Sequence, residues 1–134
     1  MCRSCFALCL AVALAGLCGC GSSQPPGAPP TAKVKGTVNL NDKPIPVGEI
    51  HFGMPGVPPR VLEIKGGNFE GEAPVGKNQV EVFVYAEGPA TEKYGGTRSK
   101  TNTVPQKYWG ANTTLSATVN TGQVNEFKFD LSAR

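Results

Sequence analysis

The chain has 134 residues, of which 40% are hydrophobic and 17% charged, and its formal net charge at pH 7 is +3. This length and composition are typical of a single globular domain with a core of its own. Lysines and glutamates are interspersed and form no basic stripe, which argues against a nucleic-acid partner.

The N-terminus has the three parts of a secretory signal: a charge at Arg3, an apolar run over residues 6–17, and small residues before a cysteine. The run is too short to span a membrane, which takes about 20 apolar residues. The sequence Leu17-Cys18-Gly19-Cys20 resembles the lipobox of bacterial lipoproteins, whose cysteine receives diacylglycerol and acyl chains such as palmitate. We therefore predict a signal peptide over residues 1–19 and a lipid on Cys20. The alternative is an ordinary secretory signal with an incidental cysteine.

The residues around the proposed cut also predict location. All five cysteines lie at or before position 20, so a chain beginning at Cys20 has no second cysteine for a disulfide or a cysteine metal site. Residues 20–32 contain four prolines and no large apolar residue, which predicts a flexible linker. We expect an exported protein that is lipid-anchored in the bacterial cell envelope. Gly21 after the cysteine favours the outer over the inner membrane.

Hydrophobic alternation with the two-residue period of a β-strand begins at Val34 and continues almost to the C-terminus. No segment of helical length after the signal shows the 3.6-residue period of a helix. Turn residues such as Asn41 and Asp42 separate the apolar runs. The predicted strands cover residues 34–40, 48–52, 60–65, 69–72, 79–85, 113–119 and 125–131. The pattern predicts an all-β protein, a single antiparallel β-sandwich of about seven strands over residues 33–134.

The alternation also assigns each strand a core face. In the strand over 79–85, the even-numbered valines share one face, while Phe83 and Tyr85 lie on the other. The side chains expected to point inward are Val34, Val38, Leu40, Ile50, Phe52, Val80, Val82, Val84, Leu115, Val119, Phe127, Phe129 and Leu131.

Several motifs occur in an order typical of one family. They are Val34-Lys-Gly-Thr-Val-Asn-Leu-Asn-Asp-Lys-Pro-Ile-Pro-Val-Gly-Glu-Ile-His-Phe52, Gly67-Asn-Phe69, Pro74-Val-Gly-Lys77, Val80-Glu-Val82 and Val104-Pro-Gln-Lys-Tyr108. Together they resemble small bacterial lipoproteins with a carboxypeptidase regulatory-like domain, over most of residues 33–131. The resemblance implies a transthyretin-like β-sandwich that serves as a non-catalytic accessory or binding module.

The sequence offers little for catalysis. His51 is the only histidine, and its alternation with Ile50 and Phe52 turns it to the surface. Glu70 and Glu72 share one strand face, where a solvated pair is a more ordinary interpretation than a glycosidase pair. Nucleophile-elbow, P-loop and zinc-protease motifs are missing from the sequence. We predict no enzyme, no catalytic residue, no metal, and no cofactor other than the covalent lipid on Cys20.

Residues 86–112 lack strand periodicity and contain the candidate binding surface. This stretch has three aromatic residues, Tyr94, Tyr108 and Trp109, together with basic residues such as Lys93 and Arg98. Tyrosine and tryptophan dominate binding hot spots. Two interpretations follow. In the first, a loop over 93–109 at one edge of the sandwich presents Tyr94 and Trp109, with Tyr108 as a further candidate, to a partner. In the second, which we favour for Tyr108 and Trp109, these two side chains cap the core beneath a long loop.

These observations predict a non-catalytic, lipid-anchored envelope module. Its expected partners are the membrane, through the anchor, and an envelope protein or glycan. A dedicated carbohydrate-binding lipoprotein that uses the loop aromatics is the second hypothesis, and an enzyme is the third.

Overall fold

A computed structural model describes residues 27–91, 95 and 97–133. These residues form ten β-strands and one short 3-10 helix. The strands are β1 (Thr31–Leu40), β2 (Lys43–Pro44), β3 (Val47–Met54), β4 (Val57–Lys65), β5 (Asn68–Pro74), β6 (Gly76–Phe83), β7 (Tyr85–Thr91), β8 (Thr97–Asn102), β9 (Leu115–Val119) and β10 (Asn125–Leu131), and the helix is Gln106–Tyr108.

Eight strands form one sheet in the order β10-β1-β5-β4-β3-β6-β9, with β2 paired to β1. The sheet folds over between β4 and β5, which pair only through Lys65 and Asn68. The half β10-β1-β5, the β1 layer, therefore faces the half β4-β3-β6-β9, the β3 layer. Phe52 of β3 meets Phe69 of β5 and Phe127 of β10, with ring centroids 5.9 and 6.1 Å apart. The predicted all-β sandwich is confirmed.

Strand pairing in the described residues is antiparallel with one exception. Strands β1 and β10 run parallel, in register from Val34 with Asn125 to Leu40 with Leu131. The tight turn between β1 and β2 uses Asn41 and Asp42, whose φ angles are 51° and 63°. Two positive φ angles are typical of a type I′ turn, which Asn and Asp tolerate better than other residues with a side chain. The predicted turn lies at these residues.

The core lies between the two layers. Most of the side chains expected to point inward are buried, and Leu40, Val84, Leu115 and Phe127 are half-buried and pack against them. Each fully buried aliphatic or aromatic side chain contributes about 1.5–3 kcal/mol relative to the exposed state. Tyr108, a candidate for capping the core, is also buried. The alternation did not indicate further core residues, which are Ile45, Ile64, Phe69, Ala73, Val104 and Ala117.

Two differences from the predicted boundaries bear on how the chain is placed. Strand β1 begins at Thr31, inside the segment predicted as linker, and the Val75 N–H donates to the Pro30 carbonyl at 2.8 Å. The predicted strand over 79–85 is interrupted after Phe83, because the Val84 N–H donates to the side-chain oxygen of Asn102 at 3.0 Å. The chain then leaves the sheet.

The segment expected to be irregular contains a two-stranded β-ribbon made of β7 and β8. Its described side chains are mostly exposed, so it has no buried face and no alternation that a sequence pattern could reveal. In the described part of the chain, no helix has the length and apolar character needed to cross a membrane.

Candidate functional site

Two residues singled out by the sequence, Cys20 and Tyr94, lie outside the described residues, as does Lys93. The proposed lipidation site and residues 92–94 and 96 therefore have no structural description.

Tyr108, one of the candidates for the binding surface, lies in the core. Its side chain is only 8% exposed and belongs to the core. Its hydroxyl accepts a hydrogen bond from the backbone N–H of Ser132 at 2.9 Å, just beyond the end of β10. Tyr108 thus ties the 3-10 helix to the end of the sandwich, which is the core-capping alternative.

Trp109 lies between core and surface. It is half-buried against the core, and its indole N–H donates to the Val104 carbonyl at 2.8 Å. One side of the ring approaches Phe83, with centroids 6.2 Å apart. Trp109 therefore supports the surface around Phe83 and is not presented on a free loop.

The segment around the helix is tied to the sheet. The Thr113 hydroxyl donates to the Val80 carbonyl at 2.6 Å, and the Gln79 side-chain amide donates to the Ala111 carbonyl at 3.2 Å. Within the segment, the Thr114 N–H donates to the Lys107 carbonyl at 3.0 Å. These bonds explain why Tyr108 and Trp109 occupy fixed positions at the end of the sandwich.

A group of rings lies on the outer face of the β3 layer, away from the core. The group consists of His51, Phe83 and Tyr85. Phe83 is at its centre, 4.6 Å from the His51 ring and 6.1 Å from the Tyr85 ring, which it meets at an interplanar angle of 16°. Tyr85 is 46% exposed, while Phe83 is half-buried by its neighbours. Phe83 thus supports the Tyr85 ring from behind.

His51 points outward as the alternation predicted, but it is not a free surface residue. Its side chain is only 18% exposed, since Phe83 covers one side and Nε2 lies 3.2 Å from the Glu49 carboxylate. Strand register places Glu81 directly across from His51 on β6. The imidazole is therefore held among acidic groups and an aromatic ring.

A cleft of about 340 Å³, the Tyr85 cleft, opens between the outer face of the β3 layer and the β7–β8 ribbon. Its apolar surface includes Tyr85 and Val47, which is 72% exposed. Gly48 forms part of the wall. A Cβ there would lie 2.7 Å from the Phe83 carbonyl oxygen, so only glycine lets β3 approach the end of β6 this closely.

The rim of the Tyr85 cleft carries charges of both signs. Its carboxylates belong to Glu49, Glu63 and Glu87, and its ammonium groups to Lys65 and Lys100. Glu63 pairs with Lys65 at 2.5 Å, and the hydrogen bond from Lys65 holds the pKa of the Glu63 carboxyl below its usual value. This carboxylate therefore remains an anionic acceptor at neutral pH.

The chemistry that this arrangement can supply is recognition. The Tyr85 cleft combines an exposed ring with carboxylate acceptors and ammonium donors. Among the residues that the structure describes, no group of three or more His, Cys, Asp or Glu side chains is placed to hold a metal ion. Glu70 and Glu72 are both exposed on β5, and Glu72 accepts a hydrogen bond from the Thr31 hydroxyl at 3.1 Å. They form a solvated strand face, as expected.

The sequence held one signal for this site. Phe83 and Tyr85 alternate with core valines and so fall on the outward side, where exposed aromatics are worth noting. No pattern in the sequence could place Glu63 and Glu87 beside them, because these residues come from β4 and from the ribbon.

No protein-family model and no curated protein matches the chain. One similar solved structure is a DUF3823 family protein from Parabacteroides merdae, at 15% identity and a TM-score of 0.42, covering 78% of this chain and 46% of that one. Another is a 9R-lipoxygenase from Cyanothece, at 15% identity and a TM-score of 0.39, covering 77% of this chain and 16% of that one. The chain spans less than half of either structure, and these likenesses carry no information on function.

Proposed function

We propose that the chain is a non-catalytic, lipid-anchored module of the bacterial cell envelope that contacts protein or glycan through the outer face of its β3 layer. The observation that carries the proposal is the Tyr85 cleft. It combines an aromatic ring, 46% exposed and supported by Phe83, with charged groups of both signs. In keeping with the motifs quoted above, we also propose that the domain is a carboxypeptidase regulatory-like module.

The anchor is proposed from the sequence. Leu17-Cys18-Gly19-Cys20 follows a short apolar run, and a proline-rich segment separates it from β1. A single acyl chain binds membranes only marginally, so the several chains of a lipoprotein are needed for stable anchoring. The proposed location is the outer membrane of the envelope.

The anchor is tested by comparing wild type with Cys20→Ser in a bacterial expression host. Wild-type protein should partition into the detergent phase of a phase separation, and the mature N-terminal peptide should carry a lipid at Cys20. Cys20→Ser should be aqueous or retain its signal, whereas the control Cys18→Ser should behave as wild type. Mature wild-type protein in the aqueous phase would refute the anchor.

The contact function is tested with full-length protein purified in detergent and used as bait for envelope extract. Wild type should retain an envelope component, and Tyr85→Ala should lose it. Val124→Ala is the matched control, since Val124 is 53% exposed and precedes β10, outside the β3 layer. Equal retention by Tyr85→Ala and wild type would contradict a contact at this face.

The proposal of a non-catalytic role is supported by the surroundings of the one histidine. His51 contacts a carboxylate and an aromatic ring, neither of which is a hydroxyl or thiol nucleophile for it to activate.

A further inference from the structure

We infer that the Tyr85 cleft is a binding site for a neutral oligosaccharide, stacked on the Tyr85 ring and hydrogen-bonded by the charged rim. This inference rests on the proposed contact function and assigns it a ligand class. It also moves the site away from Tyr108 and Trp109, which the core and the Val104 carbonyl hold in place.

The Tyr85 ring is held in position and exposed to a ligand. Tyr85 begins β7, where the chain leaves the sheet, and its ring is stacked on Phe83 at an interplanar angle of 16°. A ring fixed in this way loses little conformational freedom when a ligand binds. The C–H face of a pyranose ring is apolar and flat enough to stack on such a surface, while its hydroxyl groups remain at the edge.

The positive and negative charges on the rim of the cleft are balanced. Two of the three rim carboxylates are already paired, Glu63 with Lys65 and Glu87 with Arg98. Neither sign therefore dominates, and a polyanion or a polycation would meet like charges in the cleft. A purely apolar ligand would desolvate these ionised groups without replacing their hydrogen bonds, which is costly.

The rim of the cleft supplies both hydrogen-bond donors and hydrogen-bond acceptors. Carboxylates only accept and ammonium groups only donate, so the rim offers both kinds of partner to one ligand. Glu49 adds a carboxylate oriented by its contact with His51, and Lys100 adds an ammonium group from β8. A sugar hydroxyl both donates and accepts, and hydrogen bonds to charged groups are the stronger kind.

The size of the cleft sets the scale of the ligand. About 340 Å³ lies at the small end of ligand sites, which typically enclose about 300–1,000 Å³. One or two sugar rings fit such a space, and the rest of an oligosaccharide would extend along the open face of the β3 layer.

The test uses full-length protein in detergent on an array of soluble oligosaccharides, from dimers to tetramers. The neutral set contains glucose, mannose, galactose and N-acetylglucosamine units, and an acidic set serves for comparison. Wild type should bind at least one neutral glycan. Tyr85→Ala should weaken that binding by about tenfold or more, and Tyr85→Phe, which keeps the ring, should bind more tightly than Tyr85→Ala. Val124→Ala should bind as wild type does.

A second variant guards against an effect on folding. Glu49→Gln keeps the shape of the side chain and should also weaken binding, and unchanged melting temperatures would show that both variants are folded. Binding that survives Tyr85→Ala, or binding confined to acidic glycans, would overturn the inference. If no glycan binds but the envelope extract still yields a Tyr85-dependent partner, the glycan inference fails and the proposed contact function stands. If neither assay shows binding, both fail.

Discussion

Gly36 lies where three strands meet, and Gly36→Ala is the sharpest test of the packing. In β1, Gly36 pairs with Phe127 of β10 on one side and with Phe69 of β5 on the other. An added Cβ would clash with the Phe127 carbonyl oxygen and would lie 2.9 Å from the Phe69 ring at Cζ. The ring can turn, but the carbonyl oxygen is backbone. Strand β10 would therefore have to move away from β1.

The expected loss follows from that geometry. Overpacking a well-packed site costs about 1–3 kcal/mol, and the upper end applies here because a strand must shift. A loss of about 3 kcal/mol is a large share of a typical domain stability of about 5–15 kcal/mol. With a urea dependence of about 1–2 kcal/mol/M, the unfolding midpoint should fall by about 2 M.

The measurement is urea denaturation followed by far-UV circular dichroism. Gly53→Ala in β3 is the matched control, because a Cβ there would meet nothing closer than 3.8 Å. It should change the free energy of unfolding by no more than about 0.5 kcal/mol. If Gly36→Ala is as stable as the control, the parallel pairing of β1 with β10 is wrong.

Three further substitutions test the capped end and the surface charges. Trp109→Ala should lower the free energy of unfolding by about 2–3 kcal/mol, since the indole packs on the core and donates a hydrogen bond to the Val104 carbonyl. An unchanged melting temperature would contradict a structural role for Trp109 and favour a contact role. Tyr108→Phe should cost about 1 kcal/mol in the same assay, because the Ser132 N–H loses its acceptor, and full wild-type stability would contradict that hydrogen bond. Hydrogen bonds from Asn39 and Lys128 hold the pKa of Asp130 below its ordinary 3.8, so its charged form stabilises the folded state above that pH. Wild type should therefore exceed Asp130→Asn in free energy of unfolding by the full difference at pH 7, and this difference should shrink as the pH falls below 3.8. A difference that grows in acid would contradict this sign. Glu70→Gln, at an exposed carboxylate, is the control.

The sequence predicts best those strands that have one solvent-exposed face and one buried face. Strand β10 spans the predicted residues 125–131, because Glu126, Lys128 and Asp130 alternate with its apolar side chains. The turn at Asn41 and Asp42 is also predictable, since few residues tolerate positive φ angles. Local chemistry decides both features.

Local sequence patterns do not show which strands pair across long distances in the chain. The parallel partner of β1 is the last strand in the chain, and period-two alternation contains no information on which strands pair. The β7–β8 ribbon has no buried face, so it looks like a loop in the sequence.

The candidate site also combines local and long-range features. The outward placement of Phe83 and Tyr85 follows from alternation, but the buried Tyr108 accepts a hydrogen bond from the N–H of Ser132, 24 residues further along the chain, which no local pattern indicates. Aromatic composition alone therefore left both a contact and a core cap open for Tyr108.

We propose that the face around Tyr85 is where this module meets its partner in the envelope. Site-specific photocrosslinking in intact cells tests it directly, with a photoreactive residue at position 85 in one variant and at position 124 in another. We expect a crosslinked adduct, glycan or protein, from position 85 and none from position 124. Adducts from position 124 but not from position 85 would contradict it.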